Sequence, residues 1–335
     1  MKLAIVLAAS GMLLGGCLNK DKDESVKLSN EGTKAYGQKQ FTTAIDFYRK
    51  AVDRWHDNHV AWYGLAGAYI GNKDWDHAAE AAGKAVEIQP EQAMYNMVAG
   101  YTMYEKAVDN AADEQAHREN KKKEEITPDL TAVNFEKPLA LLQEAVKENN
   151  DLWRAHYYIG RIFRDEGKAK EAATEITKAL QSAPTEPAPW IALAELYRRW
   201  DYTDEAIAVA EAGITSVPGQ PEKTDIWYEV GMGYDDKRNN EKAIEAFTKA
   251  IEAKQDNHKA LFQRGQAYFR KGDMTNAKRD LEEFNKGGGA SVEFAKQQAS
   301  KMLMDIAAKS AGAGGAPSEK QSPEALVKQA GGGKH

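Results

Sequence analysis

The sequence predicts an all-α solenoid of about seven helix-turn-helix repeats, closed at its C-terminal end by a capping helix. Three observations predict it. A small-x3-bulky-x2-small signature recurs as Ala44/Tyr48/Ala51, Ala78/Ala82/Ala85, Ala172/Ile176/Ala179, Ala206/Ala210/Gly213 and Ala243/Phe247/Ala250, with degenerate copies at Pro138/Leu142/Ala145 and Ala277/Leu281/Phe284. In chain order, their first members lie 34, 60, 34, 34, 37 and 34 residues apart. Upstream, an aromatic-x2-aliphatic-small-x2-aromatic pattern keeps the same phase, as Trp62/Leu65/Ala66/Tyr69, Trp190/Leu193/Ala194/Tyr197 and Trp227/Val230/Gly231/Tyr234. No stretch alternates with the period of two that marks a strand.

Each period reads as a hairpin in which helix A carries the upstream pattern and helix B the alanines. Small residues at Gly160, Gly231, Ala78 and Ala172 let the helices approach closely. Gly167 and Gly272 suit the turn between them, where positive φ costs glycine little. Pro90, Pro184 and Pro218 end helix B because proline cannot donate the next backbone hydrogen bond. A lone hairpin cannot bury its apolar face, so neighbours stack into one elongated domain over residues 25–309. The repeats are expected to begin near Ser25, His59, Ala93, Trp153, Pro187, Thr224 and His258.

The third repeat departs from the pattern. Its helix B arrives 26 residues late, and the charged insertion 105–134 is expected to prolong helix A and return through Thr127-Pro128-Asp129. Pro138, at the usual alanine position, fits if it lies in the first turn of helix B. Such excursions often contact partners, although a solvated spacer is an equal reading. After Gly287-Gly288-Gly289, residues Ser291 to Lys309 have helical periodicity, with Phe294, Met302 and Ile306 on one stripe, as a capping helix requires. Residues 310–335, rich in Gly, Ala and Lys, are expected to be disordered.

The first residues carry a different signal. A basic Met1-Lys2 precedes an apolar run of twelve, Leu3 to Leu14, too short to span a bilayer but of signal-peptide length. It ends in Leu14-Gly15-Gly16-Cys17, which resembles the lipobox of bacterial lipoproteins. That resemblance implies a signal peptide over 1–16, lipid on Cys17, and residues 17–24 as a lipidated tether. About eight residues, at roughly 3.3 Å each, would hold the solenoid close to the bilayer. Leu18 and Asn19 follow the cysteine where inner-membrane retention would call for Asp. The expectation is therefore a lipid anchor in the outer membrane, facing the periplasm.

The 34-residue period together with the Trp/Leu/Ala/Tyr pattern resembles the tetratricopeptide repeat. The resemblance implies a right-handed superhelix whose A helices line a concave groove for a peptide or a helix. Carried onto this chain, the groove positions are Tyr63, then Met94, Met97, Tyr101 and Tyr104, then Tyr157, Arg161 and Arg164. Ile191, Arg198 and Arg199 follow, then Tyr228 and Met232 beside Asp235 and Asp236, then Phe262 and Phe269. Tyr, Met and Arg are enriched at binding hot spots and adaptable surfaces. Tyr101, Tyr157, Arg161, Arg164 and Arg198 are expected to clasp a partner's carboxylate. Tyr63 and Phe262, well inside their helices, read equally as semi-buried core.

Composition narrows the function. A net charge of −6 over 335 residues argues against a nucleic-acid partner. One cysteine excludes an intrachain disulfide, and the seven scattered histidines show no metal-ligand spacing. Neither a nucleophile elbow nor a phosphate-binding loop occurs, so no catalytic residue, metal or cofactor is expected. A repeat lipoprotein of this kind resembles the pilotins of type IV pili and the repeat lipoproteins of gliding motility and outer-membrane protein assembly. Those resemblances imply an interaction scaffold or assembly factor in the cell envelope, with a secretin or motility complex as partner. The alternatives are a carrier of envelope glycan and an enzyme whose site is assembled unconventionally.

Overall fold

The computed structural model describes residues 3–287 and 293–313, with side chains over 20–287 and 295–309. These residues form fifteen α-helices and no strand. The A helices are α1 (Leu3–Gly37), α3 (His59–Gly71), α5 (Ala93–Glu119), α7 (Trp153–Asp165), α9 (Pro187–Arg199), α11 (Thr224–Asp236) and α13 (His258–Lys271). The B helices are α2 (Phe41–Arg54), α4 (Trp75–Ile88), α6 (Glu136–Glu148), α8 (Ala169–Ser182), α10 (Thr203–Ser216), α12 (Asn240–Ala253) and α14 (Met274–Lys286). Each A helix packs on its own B helix and then on its neighbours, a seven-repeat solenoid ending in α15 (Glu293–Ala313). Six of the seven A helices start at the residue where the spacing places a repeat. Among the described residues no helix is long and apolar enough to cross a membrane.

The periodic residues show why the pattern folds this way. The bulky residue of each B helix seats in a gap on its A helix. A Cβ added at Gly100 would lie 2.6 Å from Leu142, at Gly160 2.6 Å from Ile176, and at Gly231 2.5 Å from Phe247. Where helix B offers only alanine, at Ala82 and Ala210, helix A carries buried Ala66 and Ala194 in place of glycine. The sizes are matched within each repeat, as close packing demands. A second device recurs on helix A, where one side chain donates to the loop carbonyl six residues before it. Trp62 reaches His56 at 2.7 Å, Asn96 reaches Pro90 at 2.6 Å, and Trp190 reaches Pro184 at 2.8 Å.

The turns from A to B each contain one left-handed residue: Lys39, Lys73, Gly167, Asp201, Arg238 and Gly272. Only two are glycine, so four turns hold a conformation disfavoured for their residue types. The third repeat has no such tight turn. There α5 continues to Glu119, and Asn120 with φ 50° ends it. The insertion then folds back onto α5. Lys123 bridges Asp109 and Asp113 at 2.7 Å each, and Gln115 Oε1 accepts from the Asp129 amide at 2.9 Å. Phe135 is buried against Tyr104, and Pro138 sits in the first turn of α6.

At the N-terminus the structure corrects the sequence reading. Residues 17–24, expected as a tether, lie within α1, and the first helix starts well before Ser25. The stretch contains no proline or glycine to stop a helix, and its charges have partners on the next repeat. Arg54 pairs with Asp21 at 3.3 Å and Glu24 at 3.5 Å, while Lys22 lies 4.6 Å over the Trp55 ring. Buried Ser25 donates to the Ala51 carbonyl at 2.7 Å and accepts from Asn58 at 2.9 Å. Asn58 also caps α3 by accepting from the Ala61 amide at 3.0 Å. Asn58→Ala is expected to cost about 1–2 kcal/mol, by losing the cap and the hydrogen bond that Asn58 donates to the buried Ser25 hydroxyl. Hydrogen exchange should show the loss in α1 and α2; undiminished protection there would count against this anchoring role.

At the other end, α15 lays Ala299 and Ile306 on the last hairpin, with Met302 and Leu303 partly buried. Ser291, the Phe294 side chain and residues 314–335 of the expected disordered tail lie outside the described residues.

Candidate protein-binding groove

A cavity of about 630 Å³ opens across the A helices of the first four repeats. On α3, Val60, Tyr63, Gly64, Gly67 and Ile70 line it, and on α5 Met94, Met97, Val98 and Tyr101 do so. Spacings of three and four residues place each set on one helix face. Thr33 and Tyr36 of α1, Tyr48 of α2, and Arg154 and Tyr158 of α7 complete the wall. The wall is apolar apart from a few hydroxyls and one guanidinium, and it contains no carboxylate. Burial raises the pKa of Tyr63, Tyr101 and Tyr158, so these phenols stay neutral.

Two glycines on α3 do different work. A Cβ at Gly64 would meet the Tyr48 ring at 2.4 Å, so Gly64 is needed for packing. At Gly67 the nearest atom is 3.6 Å away, on Tyr36, which leaves open floor in the groove. Six large hydrophobic residues are well exposed among the described residues, and three of them sit here: Tyr36 at 42 %, Val60 at 52 % and Met94 at 39 %. Contiguous exposed apolar surface of this kind marks interaction sites.

The residues expected to bind divide into three groups. Tyr63, Met97 and Tyr101 do line the cavity with Met94, although Met97 is largely buried. Tyr104 does not: it is fully buried, and its hydroxyl donates to Asp165 at 2.7 Å. Phe262 is likewise core, 4.9 Å from Phe284. Tyr228 and Met232 pack around Phe247, and Phe269 lies 4.8 Å beneath Lys309 near the capping helix. Tyr157 packs edge-on against Tyr158 at 5.1 Å, and Ile191 packs between repeats. Cys17 lies on α1, its side chain outside the described residues.

The arginines form the third group, and they correct the expected carboxylate clasp. Each is already paired within the chain. Arg161 bonds Glu105 at 2.8 Å and lies 4.8 Å over the Tyr104 ring. Arg164 holds Asp165 at 2.7 Å, and Arg199 reaches Glu195 at 3.5 Å. Arg198 is shared between Glu229 and Asp236, at 3.4 Å each. Asp165 and Glu195 lie on the arginine's own helix, while Glu105, Glu229 and Asp236 come from the neighbouring repeat, so the line of positive charge is neutralised both within repeats and between them.

The sequence reading missed Tyr36, Val60, Gly67 and Arg154. Val60 and Gly67 carried a signal, since an exposed valine and an extra glycine on the α3 face serve no packing purpose. Among the described residues Arg154 makes no ion pair or side-chain hydrogen bond; its guanidinium lies 4.5 Å over the Trp153 ring.

No curated protein sequence matches this one. Among solved structures, a tetratricopeptide-repeat protein from Parabacteroides merdae is 13 % identical with a TM-score of 0.58, covering 84 % of this chain and 99 % of its own. Pseudomonas aeruginosa PilF is 13 % identical with a TM-score of 0.52, covering 72 % and 96 %. A chain of the APC/C hetero-tetramer Cut9–Hcn1 is 13 % identical with a TM-score of 0.58; the match covers 82 % of this chain but only 48 % of that longer one. At such identities the likeness is one of fold. Profiles described as tetratricopeptide repeat match residues 35–100, 134–187 and 228–282, together just over half the sequence, and the chain belongs to the tetratricopeptide-repeat family.

Proposed function

We propose that this chain is a lipid-anchored periplasmic scaffold, an assembly factor that holds a protein of an envelope machine in the groove of its first four repeats. The observation that carries the reading is the groove itself, a cavity of about 630 Å³ rimmed by exposed Tyr36, Val60 and Met94. Repeats of this family act as interaction scaffolds, and nothing in the groove suggests a chemical step. The anchor rests on the Leu14-Gly15-Gly16-Cys17 sequence. With α1 packed from Lys20 onward, only a few residues would separate the lipid from the first repeat. A partner would then be held beside the membrane, as assembly of a secretin or a motility complex requires. A glycan is a poorer fit, because sugar hydroxyls are bracketed by carboxylates and amides, and the wall has neither.

The test is crosslinking in the native envelope followed by mass spectrometry. The wild type is expected to capture a component of an envelope machine, and Val60→Glu with Met94→Glu to lose it. Both positions are exposed, so the fold should tolerate the change. Capture that survives both charges would remove the groove from the reading. Cys17→Ala is expected to shift the protein from the membrane pellet to the soluble fraction; a variant that stays in the pellet would remove the anchor.

A further inference from the structure

The fourth residue of helix A makes a recurring bond. Trp62, Asn96, His156 and Trp190 each donate to the loop carbonyl six residues earlier, at 2.7, 2.6, 3.0 and 2.8 Å. Trp227 holds the same place on α11, and its counterpart carbonyl belongs to Pro221. The loops into α3, α5, α7, α9 and α13 have four residues, whereas the loop into α11 has seven. Gly219, with φ 81°, bends that longer loop into a 3-10 turn over Pro221–Lys223. The turn gives the Pro221 carbonyl to Thr224, whose backbone N–H and hydroxyl both donate to it, the hydroxyl at 2.8 Å. Both lone pairs are then in use, and the Trp227 indole N–H has no acceptor among the described residues. It is not among the enclosed polar atoms, so it faces solvent.

Two cavities adjoin at this ring on the B-helix side. One, of about 350 Å³, has Glu211, Trp227, Tyr234 and Lys249 in its wall, and the other, of about 420 Å³, has Gln220, Trp227, Lys249 and Glu252. Lys249 pairs with Glu245 at 2.8 Å and lies 4.5 Å over the Trp227 ring, while Lys242 lies 4.9 Å over Tyr234. Tyr234 in turn donates to Glu211 at 3.1 Å. Glu252 is exposed and has no partner among the described residues. What remains unused is one donor at the edge of a ring and one carboxylate. We infer that an extended polypeptide segment of a partner docks here, with a backbone carbonyl on the Trp227 indole N–H and a Lys or Arg on Glu252. The carbonyl would supply from outside the bond that four other repeats make within the chain. A saccharide fits less well, because Lys249 and Lys242 already cover ring faces on which sugars would stack. The lining comes from the fifth and sixth repeats, so the inference does not depend on the groove of the first four.

The full chain in detergent solution would be panned against a synthetic library of twelve-residue peptides, acetylated and amidated so that no terminal charge takes part. Enriched peptides would be titrated by fluorescence anisotropy into wild type and Trp227→Phe, with thermal unfolding to confirm that the variant is folded. The expected peptides carry Lys or Arg and bind Trp227→Phe about tenfold more weakly, the worth of one hydrogen bond. Replacing their basic residue by Gln is expected to cost about threefold on wild type and nothing on Glu252→Gln, the signature of a direct pair. In ¹H–¹⁵N spectra the indole signal missing from Trp227→Phe should move downfield as peptide is added. If that signal stays in place, or no enriched peptide prefers wild type to Trp227→Phe, the inference falls and the groove is untouched. Enrichment only of peptides that Val60→Glu with Met94→Glu loses would assign them to the groove and overturn the outer site. Retention on a glycan array that Trp227→Phe abolishes, without peptide binding, would give the site to a saccharide and overturn it as well.

Discussion

Gly67→Phe is expected to weaken partner binding about 100-fold while leaving the fold intact. The Cβ of the new side chain would meet only the Tyr36 ring at 3.6 Å, an ordinary contact with a half-exposed residue that can rotate away. Replacing glycine inside a helix also favours the helix by a few tenths of a kcal/mol. The phenyl group would extend over the groove floor and take the volume of one apolar anchor. Such an anchor contributes about 2–3 kcal/mol, and about 1.4 kcal/mol corresponds to tenfold in affinity. Titration of a captured partner against both proteins, beside their thermal unfolding, separates the outcomes. Unchanged affinity with unchanged melting would show that the partner binds elsewhere. Gly64 makes the contrast useful, since a side chain there would drive into Tyr48 and disturb the repeat itself.

The solenoid was legible because its packing is periodic. At the motif position of each A helix, glycine or alanine answers a large or small residue on its B helix, so spacing alone places the hairpins. The N-terminal boundary was not legible, because the spacing places the start of helix A only where a preceding B helix and its turn fix it, and the first repeat has none before it. Residues 20–24 are helical because Asp21, Lys22 and Glu24 find Arg54 and Trp55 one helix away. The site was half legible. Tyr63, Met97 and Tyr101 follow from register, but register cannot tell a groove arginine from a paired one. A signal did exist: Glu229 and Asp236 lie 31 and 38 residues from Arg198, and Asp235 lies 35 from Arg270, each near one repeat period. Opposite charges one period apart on A helices meet across the stack. By that test Arg198 and Arg270 were spoken for.

That internal pairing leads to a second large effect. From pH 5 to pH 8 the region α9 to α11 is expected to lose about 3 kcal/mol of stability, and Glu229→Gln to abolish that loss. The Glu229 side chain is 9 % exposed, and burial pushes its pKa up to about 7. Arg198 opposes the shift, but it is shared with Asp236, while Glu195 and Asp225 add like charge. The unfolded value is 4.5, so between 4.5 and 7 the folded chain holds a proton that the unfolded chain has released. The stabilisation is therefore complete below about 4.5 and is lost as pH rises through 7, a difference of about 3 kcal/mol. Because repeats open locally, the readout should be amide protection in α9 to α11, corrected for intrinsic exchange. Subtracting the Glu229→Gln profile cancels other titrating groups, and at pH 8 the variant should be the better protected. Parallel profiles for the two proteins would mean that Arg198 keeps Glu229 ionised throughout, and that the ladder of ion pairs is insensitive to pH.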